Sequence, residues 1–143
     1  MFFQLLVGSA LTHISLVLAA GLWWMLSSAV SRLDKRLNGL HHGARALIVI
    51  VLTVSTAMIM MTVGVWSWAL VYYKLMAFPT LEDAAYVSLV AYTTLGLGDI
   101  ELPHELRFLG GMTGANGFLM FGLMTAMLTD TLRNIRRGSF DAD

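Results

Sequence analysis

The chain of 143 residues has no cysteine, two prolines and only 13% charged side chains, nine Lys and Arg balancing nine Asp and Glu. Without cysteine there is no disulfide framework, thiol nucleophile or thiolate metal site, and the redox compartment leaves no trace. Zero formal net charge with no basic block argues against nucleic acid as a partner. A soluble domain would carry about a quarter charged residues. Here charge is missing over long distances: no Lys, Arg, Asp or Glu precedes Arg32, lies between Arg45 and Lys74, or lies between Arg107 and Asp130. These gaps of 31, 28 and 22 residues each exceed the roughly 20 apolar residues that cross about 30 Å of hydrocarbon as a helix. An all-α integral membrane protein is expected, with lipid as its surroundings. No embedded nucleophile, carboxylate pair or metal cluster is apparent, so neither an enzyme nor a cofactor is expected.

What is present divides the chain into segments. A first helix is expected from about Phe3 to Ser28; it has no positive leader and its apolar run is too long for a signal peptide, so it reads as a retained span. A polar stretch from 31 to 45, with Arg32, Lys35, Arg36 and Arg45, reads as a basic loop. The second helix, about Ala46 to Tyr73, ends in Trp66, Trp68, Tyr72 and Tyr73, an aromatic group of the kind found at headgroup boundaries. The stretch from 79 to 92 is apolar but too short to cross. Thr80 followed by Glu82 and Asp83 predicts an N-cap and an acidic first turn, hence a short helix beginning near Leu81. The glycines of Thr93-Thr94-Leu95-Gly96-Leu97-Gly98-Asp99 then stop it, and a last helix is expected from about Leu106 to Thr131.

Lys and Arg counts orient these segments. Seven cations lie in the 31–45 stretch and near the C-terminus, against Lys74 and Arg107 between them, which places the loop and the tail in the cytoplasm. Three crossings satisfy that only with the N-terminus outside and with residues 79–104 dipping into the membrane and returning. Irregular backbone at that depth is tolerated where it is buried in protein or lines water. The expected fold is therefore three transmembrane helices plus a re-entrant short helix and loop around a pore or cavity: an additional helix over 1–31, the basic loop over 32–45, a domain over 46–132 holding the re-entrant segment between two crossings, and a short tail over 133–143.

The seven residues from Thr93 to Asp99 resemble the filter of the potassium-channel family, in which backbone carbonyls replace the water around a dehydrated cation. The resemblance extends from about Ala46 to Leu132. Phe121-Gly-Leu-Met-Thr-Ala126 is similar to the family's inner-helix passage, Arg107 stands fourteen residues before Phe121 as Arg tends to in the family, and Gly117 falls at its hinge glycine. By this resemblance a monovalent cation, potassium foremost, would be held at Thr94, Leu95, Gly96 and Leu97, with Gly98 completing the filter and Asp99 at the outer mouth. Tyr86, Val87, Val90 and Thr93 would support the filter, Tyr86 by reaching Asp99. Phe118, Phe121 and Thr125 would line the cavity, and four copies would assemble, since one chain supplies a quarter of a filter. Leu97 replaces the family's usual Tyr and Val87 the Trp that bonds it, so a weakly selective cation channel stands as an alternative. A non-conducting subunit that modulates a partner is a second. Five carboxylates against Lys74 and Arg107 across the outer segment support a cation pathway.

Several features have plainer readings. Gly110-x-x-x-Gly114 reads as a helix-packing face. Asn116 needs a partner inside the membrane, either a neighbouring pore helix, which is preferred, or the cavity. His41-His42 reads as a solvated pair, the ten Met residues as packing groups, and Asp130 as the partner of Arg133 at i,i+3. The uncharged first helix is no voltage sensor and reads as a peripheral helix around the pore. No soluble regulatory domain is expected in the sequence.

Overall fold

The computed structural model describes residues 2–36 and 42–140. It contains four α-helices: α1 (Phe2–Arg36), α2 (His42–Lys74), α3 (Leu81–Tyr92) and α4 (Arg107–Phe140), the last preceded by a 3-10 turn at His104–Leu106. No strand occurs among the described residues. Three of the helices are long and apolar enough to cross a membrane, over Phe2–Val30, Gly43–Lys74 and His104–Arg136. The protein is an all-α, multi-pass membrane protein.

The long helices run further than the apolar sequence predicts. α1 continues from the expected end at Ser28 through Arg36, α2 starts at His42 rather than Ala46, and α4 continues past Thr131 to Phe140. The 31–45 stretch is thus helical at both ends and not a loop throughout. Leu, Lys and Arg are good helix formers, and at about 1.5 Å per residue α1 exceeds the hydrocarbon thickness by roughly 20 Å, so its charged end extends the helix beyond lipid. His41 lies outside the described residues.

Hydroxyls inside these helices are satisfied locally. Thr12, Thr53, Thr62, Ser67, Thr125 and Thr129 each donate to the carbonyl four residues earlier at 2.7–2.8 Å, removing donors that lipid would leave unpaired. α2 ends in a turn closed by Ala77 N to Tyr72 O and Met76 N to Tyr73 O, both 3.1 Å, with Met76 at φ 54° in the left-handed position that usually falls to glycine.

The expected aromatic belt divides. Trp68 and Tyr72, one helical turn apart, are buried in the core, whereas Trp66 and Tyr73 face outward; a period of 3.6 puts the two pairs on different faces. Tyr72 stacks edge-on with Phe78, centroids 6.2 Å apart, and its hydroxyl bonds Thr113 on α4. Met60, Met120, Met124 and Met127 fill the same core. α3 is wedged against both α2 and α4, and α1 packs on the outside of α2 and α4.

Candidate pore loop

The short helix α3 begins as its sequence dictates. Thr80 sits in extended backbone and its Oγ1 accepts from Asp83 N at 3.0 Å, while its hydroxyl donates to Asp83 Oδ2 at 2.6 Å. Ser88, a buried hydroxyl in an apolar helix, donates to Val65 O at 2.6 Å and ties α3 to α2. At its other end the chain turns back on itself. Thr93 N, Thr94 N and Leu95 N donate to Leu89 O, Ala91 O and Val90 O at 2.9–3.0 Å, and the Thr93 hydroxyl adds a bond to Leu89 O at 2.8 Å. Val90 and Thr93 therefore hold the start of the loop through backbone carbonyl and hydroxyl.

From there the backbone alternates. Thr94, Gly96 and Gly98 have φ of 57°, 60° and 73°, whereas Leu95 and Leu97 between them are not in the left-handed region. In a strand successive carbonyls point to opposite sides; reversing φ at every second residue turns them toward one side. Glycine adopts that region freely at 96 and 98. Thr94 is β-branched and a left-handed conformation costs an L-residue roughly 1–2 kcal/mol, so the surrounding bonds must impose it. Leu95 and Leu97 are 64% and 58% exposed in the single chain, and Thr94 to Ile100 are all exposed.

The loop is fastened behind by a side-chain bond. The Tyr86 hydroxyl donates to Asp99 Oδ2 at 2.5 Å. That bond is the main reason the Asp99 carboxyl is held below the usual carboxylate range and the Tyr86 phenol is raised above its ordinary value; the amides of Asp99 and Ile100 also lower Asp99. Val87, by contrast, is buried in the helical core while Leu97 is more than half exposed.

α4 supplies the seat. A Cβ on Gly117 would lie 1.8 Å from Tyr92 O and 2.7 Å from Tyr92 C, and one on Gly114 would lie 3.3 Å from Ala91 O. These glycines let the last turn of α3 rest directly on the inner helix. Gly114 thus packs against the end of α3, and Gly110 against Leu102 of the returning loop, so the small-residue face serves the loop. Phe118 is 72% exposed in the single chain, Phe121 and Thr125 are exposed beside it, and the Thr125 hydroxyl is used on Phe121 O.

Two polar residues are paired differently from expectation. Asn116, fully buried, accepts through Oδ1 from Ser15 Oγ of α1 at 2.9 Å and is not bonded to α3. The first helix carries the partner because α1 covers the side of α4 that would otherwise meet lipid. Asp130 accepts from Asn134 Nδ2 at 3.3 Å and not from Arg133; i,i+4 is as near as i,i+3 on a helix, and an amide donor occupies it. Sequence reasoning missed Ser15, Ser88, Thr113 and Gly64, whose Cα the Tyr92 hydroxyl packs against. A lone glycine or hydroxyl in an apolar run was the available signal.

Two long apolar helices flanking a short capped helix and a loop of alternating handedness define a pore-loop membrane protein. Residues 46–134 match a family described as Ion channel. That span is more than half of the chain, and the protein belongs to this family, of the two-transmembrane potassium-channel type. α1 lies outside the matched residues. No curated protein and no solved structure matches the chain.

Proposed function

We propose that four copies of this chain form a pore that passively conducts monovalent cations, potassium foremost, with Thr94 to Gly98 of each copy as the filter and Asp99 at its mouth. One observation carries the reading: the alternation of left-handed φ at Thr94, Gly96 and Gly98, which turns a row of carbonyls to one side. Such a row substitutes for the hydration shell of a cation. The exposed loop and the exposed Phe118 and Phe121 are surfaces that further copies would cover. The acidic residues Glu82, Asp83, Asp99, Glu101 and Glu105 would concentrate cations at the entrance, and the C-terminal end of each α3 would add its negative dipole at the inner side. In this reading the N-terminus is outside, the basic 31–45 stretch and the C-terminus are cytoplasmic, residues 46–132 are the pore domain, and Gly117, Phe118, Phe121 and Thr125 shape the inner helix and cavity.

A weakly selective channel is the second reading, favoured by the apolar character of Leu97 and the burial of Val87 away from it; no side-chain bond then stiffens the middle of the filter. The test is flux into liposomes holding only this protein, under potassium and sodium gradients, with Gly96→Ala as control. Potassium flux well above sodium flux and lost in the control supports the first reading, and equal fluxes lost in the control support the second. Absence of flux under both gradients leaves a closed channel or a non-conducting subunit that modulates a partner.

A further inference from the structure

Between α1, α2 and α4 lies a cavity of about 40 Å³ behind the pore helix. Asn116 lines it, is 0% exposed, and its amide Nδ2 has no hydrogen-bond partner among the described residues. Its other amide atom is taken by Ser15, so the free donor is fixed in place. Ser15 and Ser67, also in the lining, keep lone pairs that can accept. An unpaired buried polar group costs about 1–3 kcal/mol, and the Asn116 amide held at the cavity wall makes a site that gains by binding a small hydroxylic molecule. A water needs roughly 10–15 Å³ and two to four polar partners, so the space admits a hydroxyl group with its first carbon as well as water.

The rim is apolar. Ile14 and Leu18 of α1 and Val63 of α2 line the cavity and are exposed on the lipid-facing surface. We propose that this cavity is a binding site for short primary alcohols, entered from the bilayer between α1 and α2. The hydroxyl oxygen accepts from Asn116 Nδ2, its O–H donates a hydrogen bond to a serine oxygen, and the alkyl chain lies along Ile14, Leu18 and Val63. The site is made by α1 and lies outside the loop, so it stands whether or not the loop conducts potassium.

Trp68, buried and in the lining, reports occupancy directly. The experiment uses full-length protein in liposomes with Trp23, Trp24 and Trp66 changed to Phe, and titrates 2-bromoethanol, whose bromine quenches indole emission on contact. The expected result is quenching of Trp68 that saturates. Asn116→Leu should weaken half-saturation roughly three- to tenfold, the loss of one hydrogen bond. Leu18→Phe, a lipid-side change that fills the rim without touching the buried amide, should abolish saturation, and it carries the test alone if the Asn116 variant does not fold. Quenching that rises linearly with alcohol concentration overturns the proposal, as does saturable quenching unchanged by Leu18→Phe.

Discussion

Replacing Gly117 by Ala separates two roles for that residue. A flexible hinge would tolerate a methyl in the resting state and change only opening. The structure places the new Cβ 1.8 Å from the Tyr92 carbonyl oxygen, with Tyr92 C at 2.7 Å and Tyr92 Cα at 3.1 Å. All three are backbone atoms, so no rotamer change relieves the contact. Ordinary carbon contact is reached near roughly 3.5 Å, so α4 and the end of α3 must separate by more than about 1 Å. Forced overpacking costs roughly 1–3 kcal/mol, which for a chain of this size corresponds to a fall in Tm of roughly 3–12 °C. Gly122 is the control, because a Cβ there meets nothing within 4 Å and Ala is the better helix former. Thermal unfolding in detergent, followed by near-UV circular dichroism, should show Gly117→Ala well below and Gly122→Ala at or above the parent. Equal melting of Gly117→Ala and the parent would refute the packing argument and leave the hinge role.

Four further outcomes follow from the same geometry. Gly96→Ala places a side chain at φ 60° with no neighbouring atom to clash; the strain is about 1–2 kcal/mol per copy, and flux should vanish while the protein still purifies folded. Tyr86→Phe removes the donor to Asp99, so the Asp99 titration followed by carbonyl NMR should move up toward an ordinary carboxylate. Because Asp99 is lowered and Tyr86 raised, the bond's contribution is fully present between the usual carboxylate pKa of about 4 and the usual phenol pKa of about 10, is lost on the acid side as pH falls through the lower folded Asp99 value, and is lost on the alkaline side as pH rises through the raised folded Tyr86 value; Tm differences between variant and parent should thus be flat from about pH 5 to 9. Ser15→Ala leaves the Asn116 amide without its partner and should destabilise by about 1–3 kcal/mol, whereas Ser15→Ala with Asn116→Leu should recover much of that loss in a denaturation assay. Met76→Gly relieves the left-handed backbone at φ 54°, worth roughly 1–2 kcal/mol against about 0.5–1 kcal/mol of glycine entropy, so Tm should stay level or rise slightly.

The spans were legible because lipid cannot hydrogen-bond backbone, so uncharged runs of sufficient length must be helices. The start of α3 was equally legible, since Thr80, Glu82 and Asp83 act on the helix end nearest to them in sequence. The glycines at 96 and 98 likewise marked the end of α3, because glycine is a poor residue for continuing a helix. The partners of Asn116 and Asp130, the division of the aromatics at the end of α2 and the true ends of the helices were not legible. Each depends on which face of one helix meets another or on charged residues that serve helix and loop equally well.

Composition and local pattern alone thus determined the crossings, the capped short helix and the loop that follows it, because those answer to forces acting within a few residues. Only the tertiary structure decided that Thr94 is held left-handed, that α1 bonds the inner helix through Ser15 and Asn116, and that Gly117 is occupied by the Tyr92 carbonyl. A β-branched residue gives no sign of such a backbone in sequence, and the other two contacts join helices far apart along the chain, where packing and burial choose the partner.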